Sequence, residues 1–370
     1  MKNQVIVLCV FSACLGVGLA ATKSEVAPTA ETGWNKAAAA SYLDSREAWW
    51  LTWPKAERDH DTHCVSCHTA VPYAMARPDL RTSLGQTSLA PAEQGMLANI
   101  TKRVTLWSEM EPFYSDAKSG PNKSVESRNA ESVLNALILA RYDQVQGNLS
   151  PVTKQAFDHM WALQSKTGEK TGAWVWQNFH YAPWEGDDSE YWGATMAALA
   201  TGIAPDHYSA DPTIQDNLAL LRQYLVSNFD KQPVYNKLML LWTSTKVSGL
   251  LTPEKRASFE DTLYGMQQAD GGWSLTPMGP WKRKDNTPLE TKSDGLATGL
   301  TVFALEEAGV PRSQAQVKRG LGWLLKNQDP SQGSWIAYSL NKQRDPASDI
   351  GKFMSDAATS FAVLALETER

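Results

Sequence analysis

Ile214, Leu218, Leu221 and Leu225 recur at the three-to-four spacing of one helical stripe, with Arg222 and Asn228 on other faces. This spacing predicts a helix that is wet on one side. Segments 133–140, 238–242, 296–305 and 357–366 are instead apolar nearly all round and rich in alanine. Such segments have to be buried on every side. The two kinds alternate along the chain. Read as outer then inner, they form six pairs: 36–50 with 64–77, 91–111 with 125–143, 151–166 with 188–202, 213–228 with 233–248, 252–268 with 293–308, and 314–327 with 354–367. Six inner helices ringed by six outer ones make a closed double barrel, so the expected fold is all-α, a single α/α-toroid. Period-two runs of β-branched residues are scarce, and strand signals are weak.

A repeat supports this organisation. Three segments carry an aromatic residue, a glutamine and then Gly-x-Trp: Trp161, Gln164, Gly172 and Trp174; Tyr264, Gln268, Gly271 and Trp273; Trp323, Gln328, Gly333 and Trp335. Each leads through a long loop to a polar residue and an Ala-Leu step: Asp188 with Ala198-Leu199, Asp294 with Ala304-Leu305, Ser355 with Ala365-Leu366. Internal periodicity of this kind marks stacked or closed supersecondary units. The polar residues are expected as helix caps.

The charge balance narrows the partners. A net charge of −5 without any Lys/Arg cluster removes the electrostatic reason to expect nucleic acid or an anionic membrane surface. Residues 1–20 start with Lys2, continue as an apolar run and end in small residues at Gly18 and Ala20, the pattern of a secretory signal peptide. Cleavage near Ala20 would leave a periplasmic or otherwise secreted chain with a flexible leader over 21–35. A lipidated Cys14 is the alternative. The run is interrupted and short, so no transmembrane anchor is expected. Processing leaves Cys64 and Cys67 as the only cysteines.

RGLGWLLKNQDPSQGSW at 319–335 looks like the Gln-Trp repeat of squalene-hopene cyclases, and QQADGGW at 267–273 is a shorter match. The resemblance implies the toroid shared with oxidosqualene cyclases and protein prenyltransferase β subunits. It does not carry their chemistry over. Cyclases use Asp-x-Asp-Asp-Thr, whereas Glu185-Gly186-Asp187-Asp188-Ser189 departs at its first and last positions. The zinc-ligating cysteine of the prenyltransferases has no counterpart in the repeat region. The arrangement also resembles secreted bacterial toroids with a haem-attachment motif near the N-terminus.

That motif is Cys64-Val65-Ser66-Cys67-His68. In c-type attachment the two thiols form thioethers with haem vinyl groups and the adjacent imidazole ligates iron. The expectation is one covalent haem c on Cys64 and Cys67, with His68 as axial ligand, in a haem-attachment region over 36–120 ahead of terpenoid-cyclase-like repeats over 121–370. Zinc is the rival, because His60, His63, Cys64, Cys67 and His68 are dense in ligand atoms. A disulfide or a redox thiol pair is the remaining alternative. Met110 is the first candidate for a sixth iron ligand and His180 the second, while Met75 falls on the His68 side.

Inner helices all start after the longest loop of their pair, so their starts should gather at one mouth. Loops 167–187, 269–292 and 329–353 would collect there. Asp187 or Asp188, held protonated, would then be placed for acid catalysis. Trp174, Trp176, Trp184, Trp192, Trp273, Trp281 and Trp335 either line a pocket or fill repeat junctions. Three functions follow. The first is an exported monohaem c-type cytochrome with a periplasmic redox partner, in electron transfer or a haem-dependent oxidoreductase step. The second is a terpenoid-cyclase-like toroid enzyme of cyclase, isomerase or lyase type. The third is a binding module for a hydrophobic, isoprenoid-like molecule.

Overall fold

Asn35 caps the first helix: its side chain accepts a hydrogen bond from the Ala38 backbone N–H at the start of α1 (Lys36–Trp50). A computed structural model describes Met1 and residues 33–114, 120 and 122–368. The expected signal peptide, most of the leader and Cys14 lie outside them. Proline at the first helical position recurs in the outer helices, where its fixed φ suits helix initiation and its missing N–H costs nothing. It begins α3 (Pro91–Thr105), α5 (Pro151–Ala162, capped by Ser150) and α9 (Pro253–Gly265, capped by Thr252). The other outer helices are α7 (Gln215–Asn228) and α11 (Ala315–Lys326). The inner helices are α2 (Ala70–Ser83), α4 (Lys123–Gln146), α6 (Ser189–Ile203), α8 (Val234–Thr243), α10 (Gly295–Glu307) and α12 (Phe353–Glu367).

Each inner helix packs on the next, and α12 returns to α2, closing the ring. Burial follows the sequence pattern. α7 buries only Leu218, Leu221 and Leu225, whereas α10 is buried continuously from Gly295 to Glu306. Among the described residues the only strands are the pair Glu57–Arg58 and Thr62–His63, an antiparallel hairpin. The single α/α-toroid of six helix pairs is therefore the fold.

The Gln-Trp segments are the joints of this ring. Trp174, Trp273 and Trp335 are fully buried and donate their indole N–H to the backbone carbonyls of Met160, Leu263 and Leu324, at the ends of the preceding outer helices. The glutamine amides bridge forward. Gln164 donates to the carbonyls of Gly172 and Asn217, Gln267 to Gly271 and Gln316, and Gln328 to Gly333 and Asn35. The middle repeat thus uses Gln267 rather than the expected Gln268, which bonds the Thr291 carbonyl instead. The third joint ties the last repeat to the start of α1. Lys36 and Glu367, 2.9 Å apart, join the same two ends.

Two expectations change. Asp294 does cap α10, accepting from the N–H groups of Leu296 and Ala297. Asp188 precedes α6 without making a side-chain cap bond, and Ser355 lies inside α12, bonded to Ala337. The first inner helix begins at Ala70 rather than at residue 64, because the Ser66 hydroxyl accepts from the N–H groups of Thr69 and Ala70 and holds the preceding residues in a turn. Cys64 to His68 therefore sit on the rim before α2.

Candidate functional site

The rim segment is fixed from both sides. Cys64 N–H donates to the Ala56 carbonyl, and the Trp50 indole donates to the Cys64 carbonyl at 2.5 Å. Cys64, Cys67 and His68 border a cavity of about 290 Å³, walled by Trp50, Trp53, Tyr114, Trp184, Phe353 and Met354. His68 stacks on Phe353 with ring centroids 3.9 Å apart and meets Trp50 edge-on at 5.0 Å. Burial keeps this imidazole neutral, pushing its pKa down to about 3. Its Nδ1 lies 2.9 Å from Thr69 Oγ1. Both thiols are free. Burial pushes Cys64 up to about 12 and Cys67 well above the usual thiol range, so both are protonated. Among the described residues no group of three or more His, Cys, Asp and Glu side chains is placed to hold a metal ion. His60 pairs with Asp59 at 3.0 Å.

The hairpin bridged between Tyr181 and Glu185 divides this cavity from a second cleft of about 240 Å³. Glu185 faces the first cavity, and burial raises its carboxyl to about 7 while Lys123 opposes the shift. Asp187 and Asp188 line the second cleft with His180, Tyr235, Asn236, Trp281, Lys282 and Asn341. Asp187 is exposed and accepts from Asn178 Nδ2 at 2.8 Å and faces His180 Nδ1 at 3.0 Å. These bonds, Asn178 first, lower its pKa. Its neighbour Asp188 is half-buried, and burial together with the Asp187 charge raises its pKa. Two adjacent carboxyls thus sit in opposite electrostatic environments.

The expected site residues separate. Cys64, Cys67 and His68 meet at one cavity; Asp187, Asp188 and His180 meet at the other. Met110 reaches neither: its sulfur lies 3.8 Å from an Arg103 nitrogen in a buried cluster with Glu131. Met354, in the first turn of α12, lines the first cavity. Trp184 and Trp281 line cavities, whereas Trp174, Trp273 and Trp335 fill joints. Glu185 was legible as an acid beside Asp187. Asp356, buried on α12 and bonded to Thr69, gave no signal, since its partners are hundreds of residues away.

No family model and no curated protein matches the chain. Solved structures do. A GH76A α-1,6-mannanase from Salegentibacter sp. HEL1_6 superposes with a TM-score of 0.52 at 13% identity, over 90% of this chain and 100% of that one. An inactive variant of that enzyme, with two adjacent aspartates changed to asparagine and α-1,6-mannotriose bound, matches at a TM-score of 0.50 and 13% identity, over 90% and 100%. At this identity the likeness establishes the fold.

These neighbours correct two expectations. They are glycoside hydrolase toroids, not squalene cyclases or prenyltransferases. The physical reason is that the Gln-Trp segments are joints, so they report how repeats are sealed rather than what the mouth does. The cytochrome assignment, with its electron-transfer role, is corrected by the same structures, which are named as α-1,6-mannanases. Among the described residues no helix is long and apolar enough to cross a membrane.

Proposed function

We propose that the protein is a toroid hydrolase cleaving a glycosidic bond in the cleft of Asp187 and Asp188. The observation that carries this reading is the pair of neighbouring carboxyls with pKa values pushed apart, the arrangement that assigns acid and base roles. Asp188 gives its proton to the leaving glycosidic oxygen as the C–O bond breaks. Asp187, ionised, takes a proton from the water that supplies the new hydroxyl. Asn236, Asn341 and Trp281 offer amide and aromatic surface to a hydroxylated ring. The inactive aspartate-pair variant of the toroid mannanase supports the assignment. The test is turnover of a glycoside panel that includes α-1,6-linked mannose oligosaccharides. Wild type is expected to cleave at least one member, and the Asp187→Asn, Asp188→Asn double variant to lose about 10²-fold or more. Equal rates would remove the assignment. The N-terminal pattern supports export, which the mass of the mature chain from the periplasm checks.

A second proposal concerns the neighbouring cavity and has its own observation: two free, protonated thiols and a neutral imidazole border one aromatic-walled space. These residues fit one covalent haem c, held by Cys64 and Cys67 with His68 towards iron. When bound, the haem would supply a redox-active iron beside His68. The walls keep water from that imidazole, and Glu185 sets a titratable carboxyl opposite the thiols. Expression beside a cytochrome-maturation apparatus should give a Soret band that survives denaturation. Two unmodified thiols by mass would refute it.

A further inference from the structure

We infer that Asp356, acting through Thr69, is a positioning residue that fixes His68 as the Nδ1–H tautomer and leaves Nε2 bare as an electron-pair donor. Asp356 is 1% exposed and Thr69 2%. Asp356 Oδ1 accepts from Arg46 Nε and from the Tyr42 hydroxyl, both at 2.8 Å, and its Oδ2 accepts from the Thr69 hydroxyl at 2.8 Å. A carboxylate paired with a guanidinium is an acceptor only. Thr69 has one hydroxyl proton, and Asp356 takes it. The Thr69 oxygen can then only accept along its 2.9 Å contact with His68, so Nδ1 must carry the proton. Among the described residues no hydrogen bond reaches Nε2. Imidazoles that bind metals are oriented in this way, with the far nitrogen donating to a carboxylate-linked group. The relay spans three elements, with Tyr42 and Arg46 on α1, Thr69 at the start of α2 and Asp356 on α12, so it forms only where the ring closes. Its use as an iron-ligand support rests on the haem proposal; the tautomer itself does not.

The experiment uses the full mature chain, labelled with ¹⁵N at its histidines, in wild type, Thr69→Val, Thr69→Ser and Asp356→Asn. Wild type and Thr69→Ser are expected to show His68 as the pure Nδ1–H form in the haem-free protein, and Thr69→Val and Asp356→Asn to admit the Nε2–H form. In haem-loaded protein the same two variants should shift the reduction potential upward, because an imidazole that loses its acceptor is a weaker donor to oxidised iron, and Thr69→Ser should restore it. An unchanged tautomer in Thr69→Val overturns the relay, and an unchanged potential in both variants overturns its use as an iron-ligand support. Absence of covalent haem in wild type overturns the haem proposal alone, and the nitrogen shifts then decide the relay. Asp356→Asn keeps shape if Thr69→Val fails to fold.

Discussion

At the residue scale the decisive contrast lies between Asp187 and Asp188, side by side in sequence yet held by different surroundings. Hydrogen bonds from Asn178 and His180 favour the charged form of one; burial and its neighbour's charge favour the neutral form of the other. In the proposed hydrolysis the base must be ionised and the acid protonated, so kcat/KM should fall at low pH below the ordinary aspartate range and at higher pH above it. Asp188→Asn should abolish the bell, and a pH–rate profile that keeps both limbs in this variant would contradict the roles. Glu47 gives a separate test. It is fully buried on α1, neither carboxylate oxygen has a hydrogen-bond partner, and burial raises its pKa to about 8. The folded chain therefore holds a proton that the unfolded chain releases near pH 4.3. Its contribution to stability declines as pH rises from there to about 8, by at most about 1.4 kcal/mol per pH unit. Glu47→Gln should gain thermal stability over wild type increasingly between pH 5 and 8. A constant difference in Tm would show that Glu47 ionises freely.

Elements are joined by glycine as much as by glutamine. Gly172 has φ +97°, and a Cβ there would lie 2.1 Å from the Leu220 carbonyl oxygen on α7. Gly147, with φ +80°, ends α4 in open space. Gly147→Ala should cost about 1–2 kcal/mol, the left-handed strain alone, whereas Gly172→Ala should exceed about 3 kcal/mol because the joint must also open. Urea midpoints compare them, and equal costs would mean that the joint adapts. The joints explain what the sequence made legible. Trp174, Trp273 and Trp335 repeat because each seals the same contact, and helix faces follow from stripes such as Leu218, Leu221 and Leu225. Gln267 and Gln268 could not be told apart, since two adjacent amides share one spacing. Asp188 read as a cap because position predicts caps, but a cap needs a hydrogen bond, and this carboxyl turns to the cleft.

On the scale of the whole molecule, ring closure brings together groups that no local pattern connects. Met354 enters a cavity wall and Asp356 meets Thr69 only because α12 returns to α2, and Met110, chosen for its distance along the chain, is drawn into the Arg103 cluster. The gathering of inner-helix starts was legible from loop lengths alone: the first cavity takes its walls from rim segments at 64–68, 181–185 and 339–354, and the second from 180–189, 233–236, 280–282 and Asn341. How the mouth divides was not, because the hairpin at 181–185 is set by tertiary packing. That division gives one side an apolar cavity with thiols and an imidazole, and the other a polar cleft with the paired aspartates. Proton NMR of the glycoside panel, α-1,6-mannotetraose included, incubated with the mature protein tests the second side most directly. The account predicts anomeric signals of new reducing ends with wild type and none with the Asp187→Asn, Asp188→Asn variant. New reducing ends at the same rate from both proteins, or none from wild type across the glycoside panel, would contradict it.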